Sequence, residues 1–226
     1  YIIQYYQGQS FGHRMRTNAP DDTGSFQLER VKIPVDFDEL QAMNDEVYAW
    51  IEVPGTVINY AVVQSATDDL FYINHAVDKS YFSGGSIFSQ RYNTTTFQDS
   101  MTVLYGHNSR SQAMFAQLNN FADASFFEQN QSIYIYTPEK VYEYRIFAAY
   151  PHSSDHLLLC NDFNDPDQFA AYFDSLADGV NCNYRRDLFP QFGDKVLTLS
   201  TCYRQNRTQR FLVQGVLTQE YTVLKK

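Results

Sequence analysis

The chain has 226 residues, of which 44% are hydrophobic and 16% aromatic, so it can bury one sizeable core. Its formal net charge of −9 excludes a typical nucleic-acid binder, which needs a basic surface to neutralise phosphates. The three cysteines are too few for a disulfide scaffold, and their odd number leaves at least one thiol free.

The first 30 residues are expected to form a segment of their own, partly helical, ahead of a main domain at 31–226. Polar and aromatic residues alternate irregularly up to residue 20, and turn-forming residues at 19–25 indicate a flexible connection. No stretch of about 18 apolar residues occurs, so we expect neither a membrane span nor an intact signal peptide in this sequence.

A helix and a series of short strands follow in chain order. The helix is predicted to begin at Asp36, an N-cap residue with Glu39 three positions on as its reciprocal partner. The β-type runs, separated by turn residues, fall at 50–51, 57–63, 86–88, 101–105, 132–136, 140–149, 195–201 and 211–217. With helices confined to the N-terminus and one insertion, this pattern favours a mostly β fold, a closed barrel of about eight strands.

The insertion at 165–177 has a helical pattern. Asp165 can cap a helix and Pro166 suits its first position. Apolar residues recur at i, i+3, i+4 and i+7, namely Phe169, Tyr172, Phe173 and Leu176. We therefore expect a helix before the last two strands, with one apolar face packed on the barrel.

The last two strands are predicted to bring a thiol and a guanidinium together. Cys202 ends one strand and Arg210 begins the next, so antiparallel pairing sets them opposite each other at the mouth of a hairpin. Arg204 and Arg207 compete for this cationic role but fall in the connecting loop. A nucleophile beside a fixed cation is the beginning of an acyl-transfer site.

An imidazole is expected beside this thiol, because a cysteine becomes a nucleophile only where its thiolate is stabilised. His107 follows the strand at 101–105, and so lies at a strand end where it can partner Cys202. Tyr105, two positions earlier, points to the same side. It is a candidate for lining a substrate groove or, equally, an ordinary core tyrosine.

Three motifs resemble those of the sortase family and follow one another along the chain in the same order as in that family. The segment 198–202, Thr-Leu-Ser-Thr-Cys, is similar to the sortase T-L-x-T-C signature. The segment 105–108, Tyr-Gly-His-Asn, resembles the histidine motif, and Arg210 stands where the sortase arginine is expected.

Two longer features resemble class B of that family. The segment 44–64 is similar to the entry into the class B barrel. The helical insertion at 165–177 is a second class B feature, since class A enzymes carry only a loop there. The resemblance covers residues 30–220 and implies that 31–226 form a sortase catalytic domain with a closed β-barrel and no cofactor.

The resemblance implies a cysteine transpeptidase. Cys202 would attack a Thr-Gly or Thr-Asn type bond in the C-terminal sorting signal of a surface protein, and His107 would protonate the leaving amine. An amine of a peptidoglycan precursor, or of a pilin subunit, would resolve the thioester. A guanidinium stays protonated, so Arg210 would act electrostatically on the substrate backbone or oxyanion. Ser200 and Thr201 would assist through a hydroxyl or backbone N–H, or pack within the strand.

The family likeness also implies a location and partners. Sortases act at the extracellular face of the cell membrane of Gram-positive bacteria, and the full-length protein would be anchored there at its N-terminus. The opening segment 1–6 is then the outer edge of an anchor or, as an alternative, the first turn of an amphipathic helix. The partners would be a sorting peptide of the N-P-x-T-N or S/N-P-x-T-G type and an amine acceptor, with no nucleic acid.

Two other functions stay open from the sequence. A cysteine protease would use much the same groups but release its acyl intermediate to water. A catalytically silent surface-binding module on the same barrel is disfavoured, because the cysteine, the histidine and the arginine are all retained.

The remaining cysteines and histidines suggest no further site. Cys160 and Cys182 could pair in an oxidising location, but neither belongs to a spaced motif, which favours two buried free thiols. His152, Asp155 and His156 are all potential zinc ligands near Cys160. A metal site is nevertheless not expected, since a closed zinc site usually needs a second tight ligand pair.

Overall fold

The computed structural model describes residues 30–179 and 182–224, so the predicted N-terminal segment lies outside the described residues except for Arg30. The strands are β1 (Arg30–Val31), β2 (Val47–Glu52), β3 (Asn59–Val63), β4 (Ile87–Phe88), β5 (Met101–Tyr105), β6 (Ser132–Tyr136), β7 (Lys140–His152), β8 (Asn183–Tyr184), β9 (Val196–Cys202) and β10 (Arg210–Val223). The α-helices are α1 (Phe37–Met43), α2 (Ala124–Gln129), α3 (Leu157–Cys160) and α4 (Pro166–Ser175). Short 3₁₀ helices occupy Phe71–Ile73, Ala116–Ala122, Leu176–Asp178 and Arg186–Leu188.

Eight of these strands close into a barrel. The neighbours run β10, β9, β5, β4, β3, β2, β6 and β7, and β7 then pairs with β10 to complete the circle. Strands β1 and β8 add to the outside of β10 and β7. The predicted closed barrel of about eight strands is confirmed. Strands β7 and β10 are longer than predicted because they pair with each other almost from end to end.

Alternate side chains of each strand face the barrel interior and its outer surface. In β9, Leu197 and Leu199 belong to the interior core, together with Phe211 and Val213 of β10. Leu212 of β10 belongs instead to a cluster on the outer surface. This alternation decides which residues of β9 are available to an external ligand.

Helix α1 begins as predicted. The Asp36 carboxylate accepts a hydrogen bond from the Glu39 backbone N–H at 3.2 Å. Phe37 and Leu40 turn inward and are buried against the barrel. No helix within residues 30–179 or 182–224 is both long enough and apolar enough to cross a membrane.

Helix α4 packs on the barrel as predicted. Asp165 caps it by accepting from the Gln168 N–H at 2.9 Å, and Pro166 takes the first position. Phe169 and Phe173 are buried on its inner face against the outer cluster. The predicted helix and the face that it buries are therefore confirmed, with the last turn continuing as a 3₁₀ helix.

A chain of polar groups also attaches α4 to the strands beneath it. The Gln214 amide donates to the Thr198 hydroxyl at 2.9 Å, and its carbonyl accepts from the Tyr150 hydroxyl at 2.9 Å. Tyr150 has one hydroxyl proton, so the 2.6 Å contact with Tyr172 of α4 is donated by Tyr172. Burial raises the pKa of Tyr150, which keeps this hydroxyl neutral.

We expect Phe173→Ala to weaken the docking of α4. Phe173 is 2% exposed and lies against Phe147, Phe163 and Phe169, so truncation removes buried apolar surface and leaves a cavity. The free energy of unfolding, measured by chemical denaturation, should fall by about 3–5 kcal/mol. The neighbouring exposed substitution Asp174→Ala should change it by less than about 0.5 kcal/mol. Equal effects of the two variants would contradict this account of the packing.

Candidate active site

The hairpin of β9 and β10 sets the thiol and the guanidinium side by side. Cys202 and Arg210 are direct partners in the antiparallel register, as predicted. The Arg210 Nη1 lies 3.5 Å from the Cys202 Sγ, and both side chains are half-buried. The sulfur therefore has a cationic hydrogen-bond donor, a partner that suits a thiolate better than a thiol.

Strand β5 brings the imidazole to the same place. It pairs in parallel with β9, so that Tyr105 is the partner of Ser200, and the Gly106 N–H donates to the Ser200 carbonyl at 3.2 Å. His107 follows at once and lines the same cleft as Cys202 and Arg210. The structure thus brings together the three side chains that the sequence singled out.

A backbone carbonyl holds the imidazole. The His107 Nε2 lies 2.6 Å from the Ile73 carbonyl oxygen. A carbonyl can only accept, so Nε2 carries a hydrogen, and Nδ1 is the ring nitrogen left to exchange a proton with a ligand. Ile73 belongs to a 3₁₀ helix, and no sequence pattern singled it out.

Two asparagines fix the backbone at the nucleophile. The Cys202 carbonyl accepts from the Asn108 amide at 2.9 Å and from the Asn119 amide at 3.3 Å. Asn108 follows His107 directly in the sequence, and this position could have indicated that it lies close to the nucleophile. Asn119 lies in a 3₁₀ helix far from every motif, and its contribution depends on tertiary packing alone.

The cleft beside Cys202 has a volume of about 260 Å³. Part of its lining comes from the end of β7, the start of α3 and the turn between them, namely His152, Asp155, His156 and Leu157. In the sequence, the polar residues here indicate only potential metal ligands. Within the described ranges, no group of three or more His, Cys, Asp or Glu side chains is placed to hold a metal ion.

His156 is fixed within this lining by a side chain from another part of the chain. Its Nε2 lies 2.7 Å from the Gln90 Oε1, and Tyr92 packs edge-on against the ring. The buried Nδ1 has no hydrogen-bond partner within residues 30–179 and 182–224.

Tyr105 both packs and lines the cleft. Its ring lies 5.6 Å from that of Phe88, and its side chain forms part of the cleft wall. Burial raises the pKa of Tyr105 to about 12, and the nearby Arg210 charge opposes this shift only in part. The phenol is therefore a neutral hydrogen-bonding group at the cleft.

Ser200 and Thr201 have opposite orientations. Ser200 pairs with Tyr105 and Leu212, so it lies on the outer face that carries Cys202. Thr201 pairs with Phe211 of the interior core, and its hydroxyl is buried without a hydrogen-bond partner in the described structure. Both residues border the cleft, but only Ser200 presents its side chain on the nucleophile's face.

The other two cysteines are free, as expected, but they are not both buried. Cys160 is exposed at the end of α3, because the helix packs through Leu157. The expectation of a buried thiol is wrong at this position. Cys182 is half-buried, and burial raises its pKa to about 11.

Comparisons with known proteins identify the family to which the chain belongs. The family model for the Sortase domain matches residues 51–218. Sortase B of Listeria monocytogenes is 29% identical over 181 residues, which cover 79% of this chain and 72% of that protein.

Two solved structures give the same result. Clostridium perfringens sortase B matches with a TM-score of 0.73 and 29% identity, over 81% of this chain and 100% of that one. A Streptococcus pyogenes class B sortase involved in pilus biogenesis matches with a TM-score of 0.71 and 30% identity, over 81% and 98%. The chain therefore belongs to the sortase family of cysteine transpeptidases, and its relatives place it in class B.

Proposed function

We propose that this sortase cleaves the C-terminal sorting signal of a surface protein at a Thr-Gly or Thr-Asn type bond and transfers the acyl group to an amine of a peptidoglycan precursor. The observation that carries the proposal is the convergence of Cys202, His107 and Arg210 on one cleft. A thiol, an imidazole and a fixed cation are the groups that acyl transfer through a thioester requires.

The first half-reaction forms the thioester. The Cys202 thiolate attacks the carbonyl carbon of the scissile bond, and the negative charge moves to the carbonyl oxygen. Collapse of this intermediate breaks the C–N bond, and His107 gives the leaving amine a proton from Nδ1. The Nε2 contact with Ile73 keeps the ring oriented during this transfer.

The second half-reaction reverses these roles. An incoming amine attacks the thioester carbon and loses a proton to His107, and the C–S bond breaks to release the Cys202 thiolate. The product is a new amide, so the net reaction is transpeptidation. Attack by water in place of the amine would give the protease activity that the sequence left open.

Arg210 serves both halves electrostatically. In the free enzyme its guanidinium lies against the sulfur. Once the sulfur has bonded to the substrate, the same fork of donors is available to the substrate backbone or to the oxyanion. Arg204 and Arg207 border a different cleft, on another side of Cys202, and are therefore not proposed for this role.

We assign substrate binding to Tyr105, Ser200 and Thr201. The first two lie on the nucleophile's face, where the neutral Tyr105 phenol and the Ser200 hydroxyl can bond a peptide. The Thr201 side chain faces the barrel interior, so its contribution to binding would come from the backbone. This division follows from the alternation of β9.

The family supports the cellular setting. We place the catalytic domain at 31–226, on the extracellular face of the membrane of a Gram-positive bacterium, with residues 1–30 as the segment toward an N-terminal anchor. Assembly of pilins through a lysine amine is a second candidate, favoured by the pilus role of the Streptococcus pyogenes relative.

One experiment tests the proposal. Labelled peptides of the N-P-x-T-N and N-P-x-T-G types are incubated with the protein, alone and with a peptidoglycan-type amine or a lysine-containing pilin peptide, and the products are resolved by mass. An adduct with the wall amine supports the proposal, and an adduct only with the pilin lysine supports the second candidate. Hydrolysis that no amine diverts would identify a protease.

Replacement of the nucleophile should abolish the reaction. We expect Cys202→Ala to lose both cleavage and transfer, because no other described thiol lines the cleft. The fold should survive, since removal of a partly exposed thiol leaves only a small cavity. Peptide assays combined with circular dichroism measure both outcomes, and Cys160→Ala is the matched control. Cleavage by the Cys202→Ala protein would show that the nucleophile is misassigned.

The geometry of Arg210 should matter as much as its charge. Lysine keeps the charge but loses the planar fork, so we expect Arg210→Lys to lower the rate of peptide cleavage by a factor of about one hundred, the equivalent of about 3 kcal/mol. Arg204→Ala and Arg207→Ala should affect cleavage far less. Near-wild-type cleavage by Arg210→Lys, or a larger loss at either loop arginine, would contradict the assignment.

The neighbouring hydroxyls of β9 should differ in their effects. We expect Ser200→Ala to lower kcat/KM for the peptide by about fivefold, the loss of about one hydrogen bond. Thr201→Val removes a buried hydroxyl that has no partner among the described residues, so stability should stay equal or rise by about 1 kcal/mol, with peptide cleavage little changed. Denaturation and steady-state kinetics measure these effects. A reversed order would mean that Thr201, not Ser200, contacts the peptide.

A further inference from the structure

A second cleft borders Cys202, separate from the one that holds His107 and Arg210. It has a volume of about 480 Å³ and lies between the turn after His107 and the loop between β9 and β10. Of the described residues that line it, three are arginines, Arg110, Arg204 and Arg207, and none is acidic. Such a concentration of positive charge contrasts with the net charge of −9 of the chain.

The positive charge of this second cleft is not neutralised by the protein. Within residues 30–179 and 182–224, the ion pairs within 4.0 Å involve Lys79, Arg91, Lys140 and Arg185. None involves Arg110, Arg204 or Arg207. Like charges held close together repel one another, and a bound anion would remove this repulsion.

Hydrogen bonds also position one of the arginines of this cleft, Arg204. The Arg204 Nη2 donates to the Gln112 Oε1 and to the Ala116 carbonyl, each at 3.2 Å, and the Arg204 N–H donates to the Asn119 Oδ1 at 2.7 Å. The two Nη2 bonds hold the guanidinium in place, and the bond to Asn119 holds the Arg204 backbone. The remaining donors of its fork are not used by these bonds.

Backbone strain supports this placement. Gln112 has a φ of 61° and Met114 a φ of 55°, in the left-handed region that residues other than glycine rarely adopt. Such strain is concentrated at functional sites. The turn is closed by the pairing of Asn108 with Met114. The strained turn therefore holds Gln112 beside Arg204.

We propose that this arginine cleft binds the anionic part of the amine acceptor, a carboxylate or a phosphate, and so selects acceptors that carry a negative charge in addition to their amine. The proposal rests on the proposed function, because it names the class of the second substrate. Cys202 borders both clefts, so an acceptor held by its anion in the arginine cleft can reach the thioester while the acyl peptide occupies the other cleft. The amine then forms the C–N bond, the C–S bond breaks, and the amine proton goes to His107.

The test compares two acceptors that differ only in charge. Triglycine, with a free carboxylate, and triglycine amide are each given to the enzyme with the labelled peptide. The test variant is Arg110→Gln with Arg207→Gln, two exposed arginines for which no intramolecular hydrogen bond or ion pair is present in the described structure. Arg186→Gln, an exposed arginine near β8, is the control with the same kind of charge change.

The readout is the ratio of kcat/KM for triglycine to that for triglycine amide, which cancels any effect on thioester formation. We expect the double variant to lower this ratio about tenfold, as the loss of charge-assisted hydrogen bonds implies, and Arg186→Gln to leave it unchanged. A ratio that the double variant does not change, or that Arg186→Gln lowers equally, would overturn the proposal.

A binding experiment separates this proposal from the proposed function. The Cys202→Ala protein is titrated with inorganic pyrophosphate and, separately, with acetate, with and without the two arginine substitutions, and binding is followed by NMR. Tighter binding of pyrophosphate indicates a phosphate-bearing acceptor, and tighter binding of acetate a carboxylate. Loss of anion binding in the arginine variant supports the cleft even if the wild type transfers to no amine. Equal binding with and without the arginines would overturn it.

Discussion

The position of β9 between β10 and β5 is the constraint on which the rest of the site depends. Antiparallel pairing with β10 sets Arg210 opposite Cys202, and parallel pairing with β5 carries His107 to the same end of the barrel. A shift of one residue would turn Cys202 into the barrel interior, because successive side chains of a strand face opposite sides. Burial of Leu197 and Leu199 in the interior core specifies the register and makes such a shift costly.

The same strand is held from outside by the inserted helix. Thr198 and Ser200 share the outer face of β9, and Thr198 bonds Gln214, through which Tyr150 and Tyr172 extend the chain of hydrogen bonds to α4. Buried polar networks that satisfy their members rigidify their surroundings. Helix α4 thus supports the strand that carries the nucleophile, since Cys202 lies two residues after Ser200 on the same face of β9.

The predictable parts of this structure are those written in local sequence patterns. Short β-type runs between turn residues predicted the barrel strands, and the cap at Asp165 with the helical spacing predicted α4. The order of strand, loop and strand predicted the pairing of Cys202 with Arg210. The site residues that were missed lie in short 3₁₀ helices and turns, which are too short to show a period in the sequence. The carbonyl of Ile73, the amide of Asn119 and the β7–α3 lining reach the site only through tertiary packing.

The exposure of Cys160 has a consequence for chemical labelling. A thiol-directed probe added to the native protein meets one open sulfur on α3 and a second, half-buried sulfur at Cys202, whereas Cys182 ionises poorly. Labelling stoichiometry therefore counts a surface thiol together with the nucleophile. With Cys160 replaced by serine, the rate of labelling would instead report how often the cleft at Cys202 is open, and a bound peptide would slow it in proportion to its occupancy.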